Sequence, residues 1–467
     1  MKDICIYFQV HQPVRLKIFE PFAPKLKDKY FDMGLNKKIF DKVAGKCYWP
    51  TNRLMLELLD THKELKLTYG ITGTWIEQCR EFQPELLETF RDMAKTGRVE
   101  FLVETYYHSL ASLWEDKEEF KEQVKLHDKL IREEIGYKPK FFRNSELIYN
   151  NKIAKTVQEM GYKGIYTEGI EWVLDGWKSP NYVYKTPQHS GSLPVLLRNY
   201  RLSDDVGYRF SNRGFDQWPV TADKYANWLS SADGEIVNIC MDYETFGEHQ
   251  WEETGIFLFL RYLPQEILKK EDLRFETPSR LVEKHKPVGE VDVFEFSTIS
   301  WADMERDASA WLGNDMQRCC FWEMQNLSKY VKKKGRKELL DLWRLMQTSD
   351  HYYYLCTKYW GDGDVHHYFS HMKDQQKAFL NFITIISDLK TKILADEETV
   401  EKKDMLSLLN ISKEETDYQA IRKELDTAID KVEASKKIPD ETLESIEDKL
   451  DPKKHAGFIK LLRIWKK

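Results

Sequence analysis

Several absences in the sequence narrow the class of protein to which the chain can belong. The seven cysteines are odd in number and form no CxxC pair, which fits reduced thiols better than a disulfide framework. No run approaches the roughly 18 apolar residues that a membrane helix needs. The start, Met1-Lys2-Asp3, leads into a short apolar run that lacks the features of a secretory signal. We therefore expect a soluble, cytoplasmic protein without a membrane partner.

An excess of positive charge is also missing. The formal net charge is -6, and acidic and basic residues alternate along most of the chain, so no broad basic surface for nucleic acid is expected. The chain contains no GxGxxG, no phosphate-binding loop and no GxSxG. These absences disfavour a nucleotide cofactor and a serine hydrolase of the nucleophile-elbow type.

Motifs for a catalytic metal are absent too, although several histidines lie among carboxylates. They are His11, His108, His249, His366 and His367. Neither HExxH nor a compact His/Asp ligand spacing occurs. We predict that the protein uses no metal and no other cofactor.

What the chain does have is a series of short apolar runs, each followed by polar or small residues. Eight runs cover 4–10, 65–69, 99–103, 141–142, 164–167, 195–197, 236–240 and 293–296. Between many of them lie helical patterns, at 53–62, 83–96, 116–135 and 151–161. Strands that alternate with helices are typical of a parallel sheet, and this many units favours a barrel over residues 1–300.

The character of the chain changes after residue 300. Residues 315–331, 336–348 and 374–394 have the pattern of amphipathic helices. We predict a helical domain over 301–394 that packs on the barrel and completes its site. Residues 395–467 are rich in Lys, Glu and Asp, and we expect short helices of unknown role there.

Two carboxylates closely follow predicted strands and are the candidate catalytic residues. Glu146 follows the run at 141–142, and Asp242 follows the run at 236–240. The carboxyl ends of barrel strands share one edge, and hydrolysis of a glycosidic bond commonly needs two such groups. Taken alone, each carboxylate could be a helix cap or a surface charge. Glu244 would share a face with Asp242, where its negative charge could raise the pKa of Asp242, or it could itself be the acid.

Five further residues are candidates for binding substrate, and each has a structural alternative. They are His11 in His-Gln-Pro, Glu77, Arg198, Trp311 and Asp350. Glu77 could stabilise a helix N-terminus instead, and Arg198 could form a surface salt bridge. Trp311 could stack on a sugar, in keeping with the aromatic content of 13%, or belong to the core. Asp350 lies among aromatic residues, where an isolated charge is costly unless it is paired or faces a ligand.

Five segments carry a resemblance to a known family. They are Phe8-Gln-Val-His-Gln-Pro13, Gly73-Thr-Trp-Ile-Glu-Gln78, Phe142-Arg-Asn-Ser-Glu-Leu147, Met241-Asp-Tyr-Glu-Thr-Phe-Gly-Glu-His-Gln250 and the stretch from Trp301 to Gln317. In this order they resemble the signature regions of glycoside hydrolase family 57, and of its α-amylase-type members in particular. Many relatives carry a further histidine where this chain has Gln9.

The resemblance implies an incomplete seven-stranded (β/α) barrel followed by helices, and a retaining mechanism on an α-glucan or maltooligosaccharide. Glu146 would be the nucleophile and Asp242 the general acid/base. His11, Glu77, Trp311 and Asp350 would bind glucan, with Arg198 a weaker match. Because the family barrel has seven strands, one of the eight runs must lie outside it, and we predict that this is 195–197.

Other functions stay open at the level of sequence. A 4-α-glucanotransferase or a branching enzyme would use the same covalent intermediate with a sugar hydroxyl as acceptor. The histidines leave room for a metal-dependent polysaccharide deacetylase, and a glucan-binding protein with an inactive site is a further alternative. A retaining mechanism requires the two carboxyl groups to lie roughly 5 to 5.5 Å apart. The oligomeric state cannot be predicted from the sequence.

Overall fold

Nine strands form one sheet in the computed structural model, which describes residues 1–395 except for the side chains of 360–362. The strands are β1 (Lys2–Val10), β2 (Leu67–Ile71), β3 (Val99–Phe101), β4 (Phe142–Arg143), β5 (Ile165–Glu168), β6 (Tyr184–Lys185), β7 (Pro194–Arg198), β8 (Ile236–Asp242) and β9 (Leu273–Phe275). Seven of them follow the order β3-β2-β1-β8-β7-β5-β4 with every pair parallel. The short strand β6 pairs antiparallel with β7, and β9 pairs parallel with β1. The predicted incomplete (β/α)7 barrel is confirmed.

The barrel is held together weakly at two places. Between β7 and β8 the pairing is reduced to Arg198 with Asn238. The two ends of the strand order meet through a single parallel bridge between Val103 and Phe142, just before Glu104 and close to Glu146. The residues that follow β3 and β4 are therefore neighbours in space.

The prediction that 195–197 lies outside the barrel is wrong. This run is the centre of β7, which pairs with β5 from Val195 to Arg198. The run that lies outside is 293–296, which forms no strand and leads into a 3-10 turn at Glu295–Ser297. In that segment Val293 is buried, whereas Phe294 and Phe296 are exposed. The apolar character of the run therefore comes from one core side chain and two aromatic rings on the surface.

The helices of the described residues surround the sheet and continue beyond it. They are α1 (Leu26–Tyr30), α2 (Met33–Val43), α3 (Trp49–Thr61), α4 (Gly73–Phe82), α5 (Pro84–Lys95), α6 (Glu118–Glu134), α7 (Asn151–Glu159), α8 (Tyr200–Gly207), α9 (Ala222–Ser231), α10 (Ile256–Leu268), α11 (Pro278–Lys284), α12 (Ser309–Leu312), α13 (Asp315–Lys334), α14 (Lys337–Leu345), α15 (Ser349–Tyr353), α16 (Trp360–Phe369) and α17 (Gln375–Leu394). All seven predicted helical segments coincide with helices of this set.

The core follows from the period of two in the strands. On β1, Ile4, Ile6 and Phe8 pack with the apolar face of α3, including Leu58, in the larger hydrophobic cluster. Cys5 and Tyr7 point to the other side, into a smaller cluster inside the barrel. β1 is therefore buried on both faces, as expected for a strand with parallel neighbours on each side.

Residues 301–395 contain helices and no strand. Within the described part, Met1–Leu389 forms one compact unit. The predicted domain boundary at residue 300 remains a prediction, and the short helices predicted in the tail fall on residues 396–467, outside the described part. No helix in the described part combines the length and apolarity needed to cross a membrane.

Candidate active site

Charged and polar side chains gather where the parallel strands end. Asp242 is the last residue of β8, and Arg198 is the last of β7. Glu104 directly follows the Val103 bridge and His11 directly follows β1, while Glu146 lies three residues after the end of β4. Gln9 is in register with both Asp242 and Gly70, so one level of the barrel carries the polar groups. This edge is where enzymes with parallel barrels place their chemistry.

Glu146 is held in an unusual backbone conformation. Its φ is 57°, in the left-handed region, within the 3-10 turn Ser145–Leu147. Such a conformation is rare for a residue with a side chain and persists only when the surroundings enforce it. Here the backbone N–H of Trp301 donates to the Glu146 carbonyl at 3.1 Å. The Asn144 side chain donates to Ser112 Oγ and to the carbonyl of Ile148 at 2.9 and 2.8 Å.

The Glu146 carboxylate receives donors on both oxygens. Ser349 Oγ donates to Oε1 at 2.8 Å, and Trp301 Nε1 donates to Oε2 at 2.8 Å. His108 Nε2 lies 3.4 Å from Oε1. Burial by itself would raise the pKa of Glu146, but His108, followed by Arg143, outweighs it and lowers that pKa. Glu146 is therefore an ionised, oriented carboxylate.

Asp242 has the opposite electrostatic environment. Burial and then the negative charge of Glu146 raise its pKa to about 6, against the opposing charges of Arg143, His108 and Arg198. Two interacting carboxyl groups whose pKa values are shifted in opposite directions can divide the roles of nucleophile and proton donor.

The protonation of Glu244 differs from the negative charge that the sequence suggested. It is buried and accepts hydrogen bonds from Tyr48 Oη at 2.5 Å and from the backbone N–H of His11 at 3.3 Å. Burial, followed by the charge of Asp242, raises the pKa of Glu244 to about 8. Glu244 is thus mostly neutral at pH 7, and the charge that raises the pKa of Asp242 belongs to Glu146.

His11 and Asp350 come together although 339 residues separate them. His11 Nε2 lies 2.9 Å from Asp350 Oδ2, and His11 Nδ1 lies 3.0 Å from Thr72 Oγ1. Because Thr72 supplies a hydroxyl proton, the neutral ring can accept at Nδ1 and donate to Asp350 at Nε2. Asp350 is on α15, so a helix beyond the barrel supplies part of this edge.

Arg198 belongs to a closed ring of buried ion pairs. It bonds Glu168 Oε2 at 2.9 Å and Asp204 Oδ1 at 2.5 Å, while its Nε donates to the carbonyl of Cys240 at 2.8 Å. Arg306 completes the ring through the same two carboxylates, at 3.0 and 3.1 Å. Every nitrogen of the Arg198 guanidinium therefore has a protein acceptor in this conformation.

Glu77 and Trp311 lie farther from the two carboxylates. Glu77 is exposed on α4 and accepts a hydrogen bond from Tyr106 Oη at 2.7 Å. Trp311 is 1% exposed and packs against Tyr353, with ring centroids 6.1 Å apart. Tyr353 is near enough to Glu146 that this carboxylate adds to the effect of burial and raises the pKa of the phenol.

Several residues of the site were not among the predicted catalytic or substrate-binding residues. They are Glu104, His108, Arg143, Trp301, Ser349 and Tyr353. Some of them lie inside segments that the sequence singled out, such as Arg143 before Glu146 and Ser349 before Asp350. A positional rule could have found Glu104, since it follows the run at 99–103 as Asp242 follows the run at 236–240. The others reach Glu146 only through the tertiary fold.

One group in the described part of the chain has the composition of a metal site. The ligand atoms of Asp303, Cys356 and His366 lie within 4.8 Å of one another. The Asp303 carboxylate is already paired with His366 at 3.0 Å and with Lys358 at 2.7 Å. Because the Lys358 ammonium occupies the same carboxylate oxygen, this group forms an ion-pair network without needing a cation.

The chain is similar to several known proteins. A protein of Methanocaldococcus jannaschii named "Putative alpha-amylase" is 50% identical over 396 residues, which are 83% of this chain and 84% of that protein. The alpha-amylase of Pyrococcus furiosus is 25% identical over 261 residues, 54% of this chain but 37% of the relative. The structure of 4-alpha-glucanotransferase from Thermococcus litoralis superposes with a TM-score of 0.62 at 18% identity, covering 85% of this chain and 60% of that one.

The profile of glycosyl hydrolase family 57 matches residues 5–294, a segment that holds Glu146, Asp242, most of β1 and the eight strands β2 to β9. The chain belongs to glycosyl hydrolase family 57.

Proposed function

We propose that the protein cleaves α-1,4-glucosidic bonds of glucans or maltooligosaccharides with retention of configuration, as an α-amylase-type hydrolase. The observation that carries the proposal is the opposed environment of two carboxyl groups at the barrel edge. Glu146 is kept ionised by donors on both oxygens, and Asp242 is kept protonated up to about pH 6. The name of the M. jannaschii relative supports the same activity.

In the first step Glu146 attacks the anomeric carbon while Asp242 donates its proton to the departing glycosidic oxygen. A bond forms between the Glu146 carboxylate and the sugar, and the glycosidic bond breaks. Ser349 and Trp301 hold the nucleophile, so that little orientation is lost on reaching the transition state. Formation of the ester removes the negative charge of Glu146.

In the second step water attacks the anomeric carbon, and Asp242 accepts the proton of that water. The loss of the Glu146 charge lowers the pKa of Asp242, because that charge was one cause of its elevation. Asp242 therefore becomes a better base when the mechanism requires one. The Glu146 carboxylate is regenerated as the sugar leaves.

Three of the remaining candidates are proposed to bind the substrate. His11 and Asp350 form a hydrogen-bonding pair at the same edge, suited to sugar hydroxyls. The Glu77 carboxylate is accessible beside Tyr106. Direct contact of Arg198 or Trp311 with a glucan would require existing protein contacts to be exchanged, so we propose that both act mainly by supporting their neighbours.

The test is incubation with maltoheptaose, with product lengths and reducing ends followed together and the anomeric form of the first product read by NMR. Hydrolysis with retention gives new reducing ends in the α configuration. Constant reducing ends with redistributed chain lengths would show that the protein is a transferase, and β products would exclude retention.

Variants assign the two roles. Glu146→Gln and Asp242→Asn are expected to reduce turnover at least about 10³-fold, since each removes a group that takes part in bond making or proton transfer. Glu64→Gln changes an exposed carboxylate beyond α3 in the same way and serves as the control. Wild-type turnover by Glu146→Gln would rule out Glu146 as the nucleophile.

A further inference from the structure

A series of buried hydrogen bonds, completed by one ion-pair contact, leads from inside the barrel to the Glu146 carboxylate. Tyr7 Oη donates to Gln9 Oε1, and Gln9 Nε2 donates to Glu104 Oε1 at 2.9 Å. His108 Nδ1 lies 2.9 Å from Glu104 Oε2. His108 Nε2 faces Glu146 Oε1 at 3.4 Å. The chain therefore joins two carboxylates through one imidazole ring.

The direction of the donors determines the protonation of that ring. A phenol donates to Gln9 Oε1, so the Gln9 amide turns its N–H groups toward Glu104. Glu104 Oε1 is then an acceptor. Although burial opposes it, the pKa of Glu104 is lowered, first by His108, so Oε2 is also ionised and accepts from His108. A neutral His108 would present a lone pair to either Glu104 or Glu146, which is repulsive against a carboxylate. Protons on both ring nitrogens satisfy both contacts.

The backbone around the ring is specialised for this contact. His108 is 2% exposed and has a φ of 51°, again in the left-handed region. Its carbonyl accepts the backbone N–H of Ser349, the residue whose hydroxyl donates to Glu146. His108 and Ser349 are thereby fixed together on the same carboxylate oxygen. Gly70 leaves room for these hydrogen-bonded side chains, because a Cβ there would lie 2.2 Å from Tyr7 Oη and 2.9 Å from Gln9 Oε1.

We propose that His108 is a positioning residue of this site: held by Glu104, it acts as a permanent cation that orients the Glu146 carboxylate and keeps it ionised. This inference rests on the proposed function of Glu146 as nucleophile and adds to it the group that prepares the nucleophile. It also gives Gln9 a role, which is to orient Glu104 for His108.

The other charged groups around His108 and Glu146 do not remove the need for this cation. They are His11 on the chain after β1, Arg143 on β4, His127 on α6, Asp242 on β8 and Asp350 on α15. Arg143 adds positive charge, but Asp242 and Asp350 add negative charge. The pKa values of His11 and His127 are lowered, and burial is the largest cause in both cases. His108 is the histidine of this group whose raised pKa, about 9, agrees with a standing charge; hydrogen bonds to Glu104 and Glu146 there overcome the effect of burial.

The first experiment is the pH profile of kcat/KM for His108→Gln and Glu104→Gln on maltoheptaose. Without the cation, the pKa of Glu146 rises, and the acid limb is expected to move to higher pH by about one unit. The alkaline limb should move in the same direction, since His108 also lowers the pKa of Asp242. Glu104→Gln should produce a smaller shift of the same sign. A fall in activity with both limbs unmoved would show that His108 only packs the site, and would overturn the inference.

The matched control is His285→Gln. His285 also bridges two carboxylates, Asp3 Oδ2 at 2.6 Å and Glu235 Oε2 at 3.1 Å, but Asp3 lies at the opposite end of β1. This variant removes the same side chain from a similar contact and should leave both limbs of the pH profile in place. Movement of the limbs in His285→Gln as well would remove the evidence for a local effect.

A second measurement does not depend on turnover or on the stability of His108→Gln. Selective ¹³C labelling of the twelve histidines in the wild-type protein allows each ring to be titrated by NMR. His108 should stay charged through neutral pH and should titrate lower in Glu104→Gln and in Glu146→Gln. A ring that is neutral at pH 7 would overturn the inference even if the protein hydrolyses glucan. A charged ring in a protein without glucan turnover would instead separate failure of the proposed function from failure of this inference.

Discussion

The imidazole rings of His11 and His108 stack with 4.1 Å between their centroids and 25° between their planes. Two charged rings at this separation inside the protein would repel each other strongly. His108 has a carboxylate at each nitrogen, whereas His11 has a carboxylate at one and the Thr72 hydroxyl at the other. Burial, followed by the charge of His108, lowers the pKa of His11. The stack thus holds one charged ring and one neutral ring.

The neutral ring gives the first prediction, which concerns Asp350→Asn. The carboxylate is the acceptor that fixes His11, so its loss should free the ring to shift and reduce kcat/KM by about 10²-fold. The measurement is steady-state kinetics on maltoheptaose at the pH optimum of each variant. Tyr354→Phe is the control, because Tyr354 contacts the other oxygen of Asp350 at a weak 3.5 Å. It should stay within about threefold of wild type. Equal losses in both variants would show that Asp350 acts through general packing.

The second prediction is the position of the wild-type pH optimum. Glu146 must be deprotonated to attack, and its lowered pKa places the acid limb below the ordinary range of a glutamate. Asp242 must be protonated to donate, and its pKa of about 6 means that activity declines as pH rises above about 6. The optimum is therefore expected on the acidic side of neutrality. The check is kcat/KM at constant ionic strength from about pH 3 to about pH 9.

An alkaline limb near pH 8 would contradict this assignment in an informative way. That value corresponds to Glu244, whose pKa burial and Asp242 raise to about 8. Glu244 rather than Asp242 would then be the proton donor.

The third prediction separates these two carboxyl groups by mutation. At pH 6 Glu244 carries a proton, so Glu244→Gln replaces a neutral acid by a neutral amide that can still accept from Tyr48. It should keep kcat/KM within about threefold of wild type at that pH. Asp242→Asn should lose at least about 10³-fold on maltoheptaose, whose leaving group needs protonation. The reverse order of effects would exchange the roles of the two residues.

Much of this arrangement could be predicted from the sequence, because apolar runs followed by polar residues locate the ends of strands. Glu146 and Asp242 were found in this way, and the structure places both at one edge of the sheet. The sequence could not decide which run lies outside the barrel, since 195–197 and 293–296 are similarly short and apolar. Only their hydrogen-bond partners distinguish them. Residues 195–198 pair with strand β5, whereas the backbone N–H of Val293 donates to the Asn151 side chain.

The groups that prepare Glu146 lay beyond such reasoning for a physical reason. Ser349 is 203 residues away from Glu146 in the chain, and Trp301 is 155 residues away. No spacing rule links residues that meet through separate helices and loops. The ionisation of a carboxyl group depends on such distant partners, so the sequence allows a negative Glu244 where the structure holds one that is mostly neutral at pH 7.

The fourth prediction concerns Gly70→Ala. Gly70 has an ordinary backbone conformation, so the cost comes from space alone: the new methyl group would lie 2.2 Å from Tyr7 Oη and 3.1 Å from Glu104 Oε1. Tyr7 is fully buried and cannot retreat without a cost in packing. We expect a loss of about 1 to 3 kcal/mol in the free energy of unfolding and a shift of the acid limb in the direction of Glu104→Gln. Gly45→Ala, where a Cβ meets nothing within 4 Å, is the control. If the acid limb of the pH profile stays in place in Gly70→Ala, the hydrogen bonds that run through Gln9 do not affect the pKa of Glu146.

The fifth prediction concerns the stability contributed by the ion-pair ring around Arg198. Asp204 is 6% exposed, and although burial opposes it, the charges of Arg198 and Arg306 lower its pKa. Asp204→Asn leaves the buried Arg198 and the partly buried Arg306 with Glu168 as their one shared carboxylate, and should reduce the free energy of unfolding at pH 7 by about 3 kcal/mol. Because the pKa is depressed in the folded state, the contribution of Asp204 is fully present above its unfolded pKa of about 3.9 and is lost as pH falls through the folded value. The difference in the free energy of unfolding between wild type and Asp204→Asn, measured in guanidinium, should therefore become smaller at acidic pH.

The control is Asp60→Asn, at an exposed pair with Lys63, which should change the free energy of unfolding little at any pH. A variant as stable as wild type at pH 7 would mean that the desolvation of the ring cancels its attraction, and that Arg198 is held for the site rather than for the fold.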